Sequence, residues 1–226
     1  MTTVTTTTDT STARLASVTA IGGAVVMLAG AALYFTSGAV DLWAALADGE
    51  MAAYLASADA ARGQLVANHS LWILGVLLMG IAIRAMASMG RPRPGLATAA
   101  VAVAGTAVPL AIVSFITMMS LAVQLAPDTS DSTVTTAEVV GWIGTRTDDL
   151  ATVLIVGAAP LLVALAARDD WLPRWLAVWA YIAATFGGVY LVSVFVPALA
   201  DVGMLIIPAG IGWMIAAGIT IVRTRA

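Results

Sequence analysis

The chain of 226 residues has no cysteine, no lysine, a single histidine, and charge on only 10% of its positions. Without cysteine there is no disulfide, no thiolate nucleophile and no thiolate-ligated metal. Without lysine no Schiff base can form, which excludes retinal or pyridoxal held in that way. All ten basic residues are therefore arginine. Soluble domains carry charge on about a quarter of their residues. The shortfall here, with 61% hydrophobic residues and a mean hydropathy of +0.98, identifies an integral membrane protein. No glycine-rich phosphate loop, nucleophile elbow or basic nucleic-acid patch is present, and no residue pattern calls for a cofactor. Abundant Ala and Gly, with Arg in place of Lys, fit a GC-rich bacterial genome.

What the chain does contain is a series of long apolar runs. One stretch, Trp142 to Trp175, begins with Arg146, Asp148 and Asp149 and ends with Arg168, Asp169, Asp170 and Arg174. A helix rises about 1.5 Å per residue, so Asp149 and Arg168 stand about 28 Å apart. That matches the ~30 Å hydrocarbon core of a bilayer, with a charge cluster at each surface. The same reasoning places further spans over residues 15–36, 65–88, 96–125, 174–199 and 203–222. Pro109 and Pro160 fall inside spans, where neighbouring helices can cover the freed backbone. The expected fold is all-α: a polytopic membrane protein with six transmembrane helices, forming one domain over residues 14–226, after a disordered Thr-rich tail at 1–13.

Residues 38–64 are too polar to span, yet Leu42, Trp43, Leu46, Met51, Tyr54 and Leu55 recur at helical spacing. They predict an amphipathic helix in the first loop, lying on the membrane or over the bundle, as a connector or a lid. Residues 126–137 read as a polar loop. Ala16, Ala20 and Ala24, and again Gly212, Ala216 and Thr220, form small-residue seams that let helices approach closely. Trp43, Trp142, Trp171 and Trp175 read as interfacial anchors.

Six spans put both termini on one side. Assigning that side to the cytoplasm places Arg14, Arg84, Arg91, Arg93, Arg168, Arg174, Arg223 and Arg225 inside, and only Arg62 and Arg146 outside. The positive-inside rule favours this orientation in a plasma membrane.

Polar residues within spans mark candidate sites. His69, Ser120, Gln124, Thr145, Asp148 and Tyr190 all fall in the outer parts of their spans, above a nearly apolar inner half. Gly141, Thr145, Asp148 and Thr152 form one small, polar helical row facing inward, whereas Asp149 pairs with Arg146 at i, i+3. His69, Ser120, Gln124, Thr145, Asp148 and Tyr190 form a candidate ligand-binding pocket open to the outside or the outer leaflet; no catalytic or metal set is assigned. Asn68-His69-Ser70 matches a glycosylation sequon, but at a membrane surface.

The segment from Leu172 to Val192 carries Pro173, Arg174, Trp175, Leu176, Gly188 and Tyr190. A Pro-Arg-Trp-Leu turn followed by this Gly and Tyr resembles an uncharacterised six-span bacterial membrane family, a domain of unknown function. The layout of a first span, a long outer loop and five further spans is also similar. The chain departs from the family in residues 65–88, where no acidic residue stands. The resemblance implies a fold and no activity.

The functional expectation is a non-enzymatic membrane protein that binds a lipid, a small apolar ligand or a partner subunit on its outer side. Membrane lipids and a partner subunit or second copy are the expected partners, and nucleic acid is not. The alternatives are a small permease, and a membrane-embedded enzyme using His69 with Asp148 as an acid/base pair.

Overall fold

The computed structural model describes residues 10–89 and 93–225. Most of the expected Thr-rich tail, and Arg91 of the turn after the second span, lie outside the described residues. Thr10 to Ala13, expected in the tail, instead form the first turn of a helix.

The chain is an all-α polytopic membrane protein, with no strand among the described residues and six helical stretches long and apolar enough to cross a membrane. In chain order the helices are α1 (Thr10–Thr36), α2 (Leu42–Asp48), α3 (Met51–Met89), α4 (Pro94–Ser120), α5 (Asp131–Thr152), α6 (Ala159–Ala167), α7 (Arg174–Ser193), α8 (Ala200–Gly203) and α9 (Ile206–Arg225). A π-helical turn, Leu121–Leu125, extends α4, and another, Val153–Ala158, joins α5 to α6. Pro109 sits inside α4 without ending it.

Two expected boundaries move. Residues 51–64, expected in the first-loop helix, are continuous with the second span, so α3 runs for 39 residues. That is about 58 Å of helix, roughly twice what a bilayer core needs. The expected loop at 126–137 shrinks to residues 126–130, because α5 begins at Asp131. An aspartate in the first turn suits the positive end of the helix dipole.

By contacts between residues, the chain divides into two compact units. The first holds α1 up to Ala24, Leu77–Thr106, and the chain from Thr152 onward. In it α7 packs on the π turn at Val153–Ala158, on α6, on α8 and on α9. Small residues make this possible. A Cβ at Gly203 would lie 2.8 Å from Tyr190 Cα, and one at Gly187 would lie 3.1 Å from Ile206 Cδ1. Ala16, Ala20 and Ala24 are fully buried, as a packing seam requires. On α9 the seam is displaced from its expected position: Gly210, Met214, Ala217, Gly218 and Ile221 are buried, and Gly212 receives the ring of Trp179. Arg93 donates to Leu165 O at 3.2 Å and to the Asp169 carboxylate at 2.7 Å, tying the start of α4 to the end of α6. Trp171, expected as an interfacial anchor, is buried here, whereas Trp175 is exposed.

The second unit comprises Val25–Val76 and Ala107–Ala151. The predicted amphipathic face holds it together: Leu42, Leu46, Met51, Tyr54 and Leu55 form one buried cluster with Ala58, Leu65, Met118, Leu121, Ala122 and Ala137, and Trp43 packs partly buried against it. Asp41 caps α2 by accepting from Ala44 N at 2.8 Å, and Gly49, at φ 72°, closes it in a conformation that favours glycine. Gly141 and Gly144 give α5 its close approaches, to Leu46 and Met51 and to Met118 and Thr117.

The link before α5 is organised by Asp128. Its carboxylate accepts from Thr133 Oγ1 at 2.6 Å, Ser130 N at 2.9 Å and Ser130 Oγ at 3.2 Å. These bonds, the Thr133 hydroxyl foremost, hold its pKa below the ordinary carboxylate value. A depressed folded pKa means stability that is present above the unfolded pKa and lost as pH falls through the folded one. In a carboxyl-carbon NMR titration, Asp128 is expected to titrate below the ordinary carboxylate value. Thr133→Val should move its midpoint upward; an unmoved midpoint would show that the Thr133 bond does not form.

Candidate functional site

His69 is the one histidine of the chain and is only 3% exposed on α3. Its Nδ1 lies 2.7 Å from Leu65 O, one helical turn back. A carbonyl can only accept, so Nδ1 carries the proton, and in the neutral imidazole Nε2 keeps its lone pair. Aromatic rings surround the imidazole. Trp72 stands edge-on at 5.5 Å between centroids, and Phe115 of α4 lies at 6.2 Å. Trp72 and Phe115 are themselves 5.4 Å apart, and Tyr34 of α1 lies 5.8 Å from Trp72.

The placement of Trp72 depends on Gly30. A Cβ at Gly30 would lie 2.6 Å from Trp72 Cδ1 and 2.7 Å from Nε1, so only glycine leaves room for the indole against α1. The indole N–H then donates to Met27 O at 3.2 Å. Asn68, fully buried, donates from Nδ2 to Gly30 O at 2.9 Å, while its Oδ1 is buried with no hydrogen-bond partner among the described residues. This is a buried cross-link between α3 and α1, and so the sequon match has a packing role. Tyr34 completes the arrangement, donating to Asp41 Oδ2 at 2.9 Å and accepting from Leu42 N at 3.2 Å.

The other expected site residues are placed less uniformly. Thr145 is fully buried and donates to Gly141 O at 3.0 Å on its own helix. Ser120, half-buried, donates to Thr117 O at 2.6 Å. Gln124 is exposed on the π turn after α4. Tyr190 is half-buried and belongs to the first unit, against Gly203. The expected ion pair forms: Arg146 Nη1 lies 2.8 Å from Asp149 Oδ2. Its burial differs from expectation, because Asp149 is 4% exposed whereas Asp148, on the expected inward row, is only half-buried. Arg146 reaches back over the Trp142 ring, 4.6 Å from its centroid. Among the described residues no three of His, Asp and Glu gather as a metal-ligand set.

Sequence reasoning singled out His69 but missed the rings around it. Trp72, three residues on, shares its helix face, and that spacing was the available signal. Phe115 and Gly30 carried none, since contacts between helices are not written in one helix's periodicity. No protein-family model, curated protein or solved structure matches the chain.

Proposed function

We propose that this is a non-enzymatic plasma-membrane protein that holds a neutral, hydroxyl-bearing apolar molecule, such as a lipid alcohol or diacylglycerol, beside His69. The observation that carries this reading is the 2.7 Å contact of Nδ1 with Leu65 O. It makes Nε2 an acceptor within apolar, aromatic surroundings, where an unmet acceptor costs about 1–3 kcal/mol. Asn68 Oδ1, buried without a partner, adds a second acceptor on the same turn of α3. Both call for a donor, and an apolar molecule with a hydroxyl supplies one.

The termini are placed in the cytoplasm, on the strength of the arginine distribution. In that orientation the His69 wall belongs to the outer side. Ser120, Gln124, Thr145, Asp148 and Tyr190 then contribute polarity at that level rather than one constellation. The resemblance to the six-span family of unknown function rests on Pro173, Arg174, Trp175, Leu176, Gly188 and Tyr190.

The test is mass spectrometry of neutral lipids co-purifying with the full chain. His69→Phe keeps an aromatic ring and removes the acceptor. A loss of about tenfold in bound hydroxyl-bearing lipid is expected, equivalent to ~1.4 kcal/mol. Equal lipid content in the two proteins would sink the reading.

A further inference from the structure

The first unit contains a second feature that the His69 site does not use. Antiparallel α1 and α9 are pinned together where a Cβ at Gly218 would lie 2.8 Å from Ile21 Cγ1 and 3.2 Å from Ser17 O. Beyond that crossing, towards the start of α1 and the end of α9, the helices leave a groove of about 630 Å³. Its apolar wall includes Val18, Ile221 and Val222, and its polar end includes Thr10, Arg14 and Ser17.

Two observations point to a ligand. Arg14 is exposed and lines the groove, and it makes no ion pair with a described residue. Ser17 is only 2% exposed and also lines the groove, yet its hydroxyl has no hydrogen-bond partner among the described residues. Most serines of this chain bond a carbonyl three or four residues back, as Ser70, Ser88, Ser120 and Ser193 do. A guanidinium, a serine hydroxyl that bonds no described residue and an apolar channel side by side match one chemistry: a phosphodiester carrying acyl chains. Arginine forks onto phosphate oxygens, a serine hydroxyl donates to one, and Val18 and Val222 meet the first methylenes.

We propose that the α1–α9 groove binds an anionic phospholipid, with the phosphate on Arg14 and Ser17 and one acyl chain along Val18 and Val222. In the proposed orientation it faces the cytoplasmic leaflet, where anionic lipids attract basic groups. Binding there would fasten the first helix to the last and bias the chain towards anionic membranes.

Native mass spectrometry of the full chain in detergent, titrated with phosphatidylglycerol or phosphatidylcholine of matched chains, tests this. Wild type should prefer phosphatidylglycerol by about fivefold, the advantage of one arginine at an anionic surface. Arg14→Gln should abolish the preference, and Arg174→Gln, an exposed arginine outside the groove, should retain it. Val18→Trp, which fills the channel, should weaken both lipids equally. Equal binding of both lipids by wild type would overturn the proposal. So would a preference that survives Arg14→Gln, one lost equally in Arg174→Gln, or displacement of the lipid by millimolar inorganic phosphate.

Discussion

Gly210→Ala should destabilise the protein by about 3 kcal/mol, the upper end of the cost of overpacking a core. The added methyl would lie 2.4 Å from Val156 Cβ and 2.5 Å from Val156 O. Neither atom is the end of a flexible side chain, so relief requires α9 to move away from the π turn at Val153–Ala158. The location has a cause in the sequence. Pro160 has no N–H, and the carbonyl an ordinary helix would bond to that missing donor belongs to Val156. Gly210, without a side chain, lets α9 come down on that carbonyl, where a Cα–H can approach the oxygen. For a chain of this size the loss corresponds to a fall of roughly 6–12 °C in Tm in detergent. Gly105→Ala makes the same chemical change where no atom lies within 4 Å, and it should leave Tm unchanged or slightly raised. Gly212→Ala should fall between the two, because the 2.8 Å contact is with the far edge of the Trp179 ring, which can tilt. Equal Tm values for the Gly210 and Gly105 variants would contradict the packing described.

The contrast among these glycines shows which part of the fold was legible in sequence. Span number and approximate position follow from apolar length against bilayer thickness, a one-dimensional property, and the six stretches stand where expected. The boundaries that moved are those where polarity was taken as the end of a helix. Residues 51–64 are polar enough to leave the bilayer, yet no proline interrupts them, and Gly63 is tolerated with open space around it. The backbone therefore continues through α3. The α9 seam shows the opposite limit. Gly212, Ala216 and Thr220 have the right spacing, but which face is buried depends on Val156 and Ser17, supplied by other helices.

The same limit applied to the candidate site. The Arg146–Asp149 pair was readable because both partners lie on one helix. The burial of Asp149 over Asp148 was not, because the row through Gly141 and Thr145 gives direction but not the depth of cover at each level. His69 was readable as a rare residue in an apolar setting. Its tautomer follows from the local helix, through Leu65, but its aromatic enclosure needed the approach of α1 and α4.

Introduced cysteines should report the threading as an all-or-none result, since the chain has no cysteine of its own. Thr129 is exposed in the short link between the third and fourth spans, and Gly95 is exposed at the start of α4 with open space around its Cβ position. With cytoplasmic termini, Thr129→Cys should react with a membrane-impermeant maleimide in intact cells, and Gly95→Cys only after permeabilisation. The physical ground is the skew of the arginines: eight on the terminal side and two, Arg62 and Arg146, on the other. Moving those charges across the membrane is what the reverse orientation would require, and each costs about 2.5–3.5 kcal/mol at the helix centre. The reversed labelling pattern would invert the orientation and carry the His69 wall to the inner leaflet and the α1–α9 groove to the outer one. Labelling of both positions from outside would break the six-span threading itself, because an odd number of crossings lies between Gly95 and Thr129.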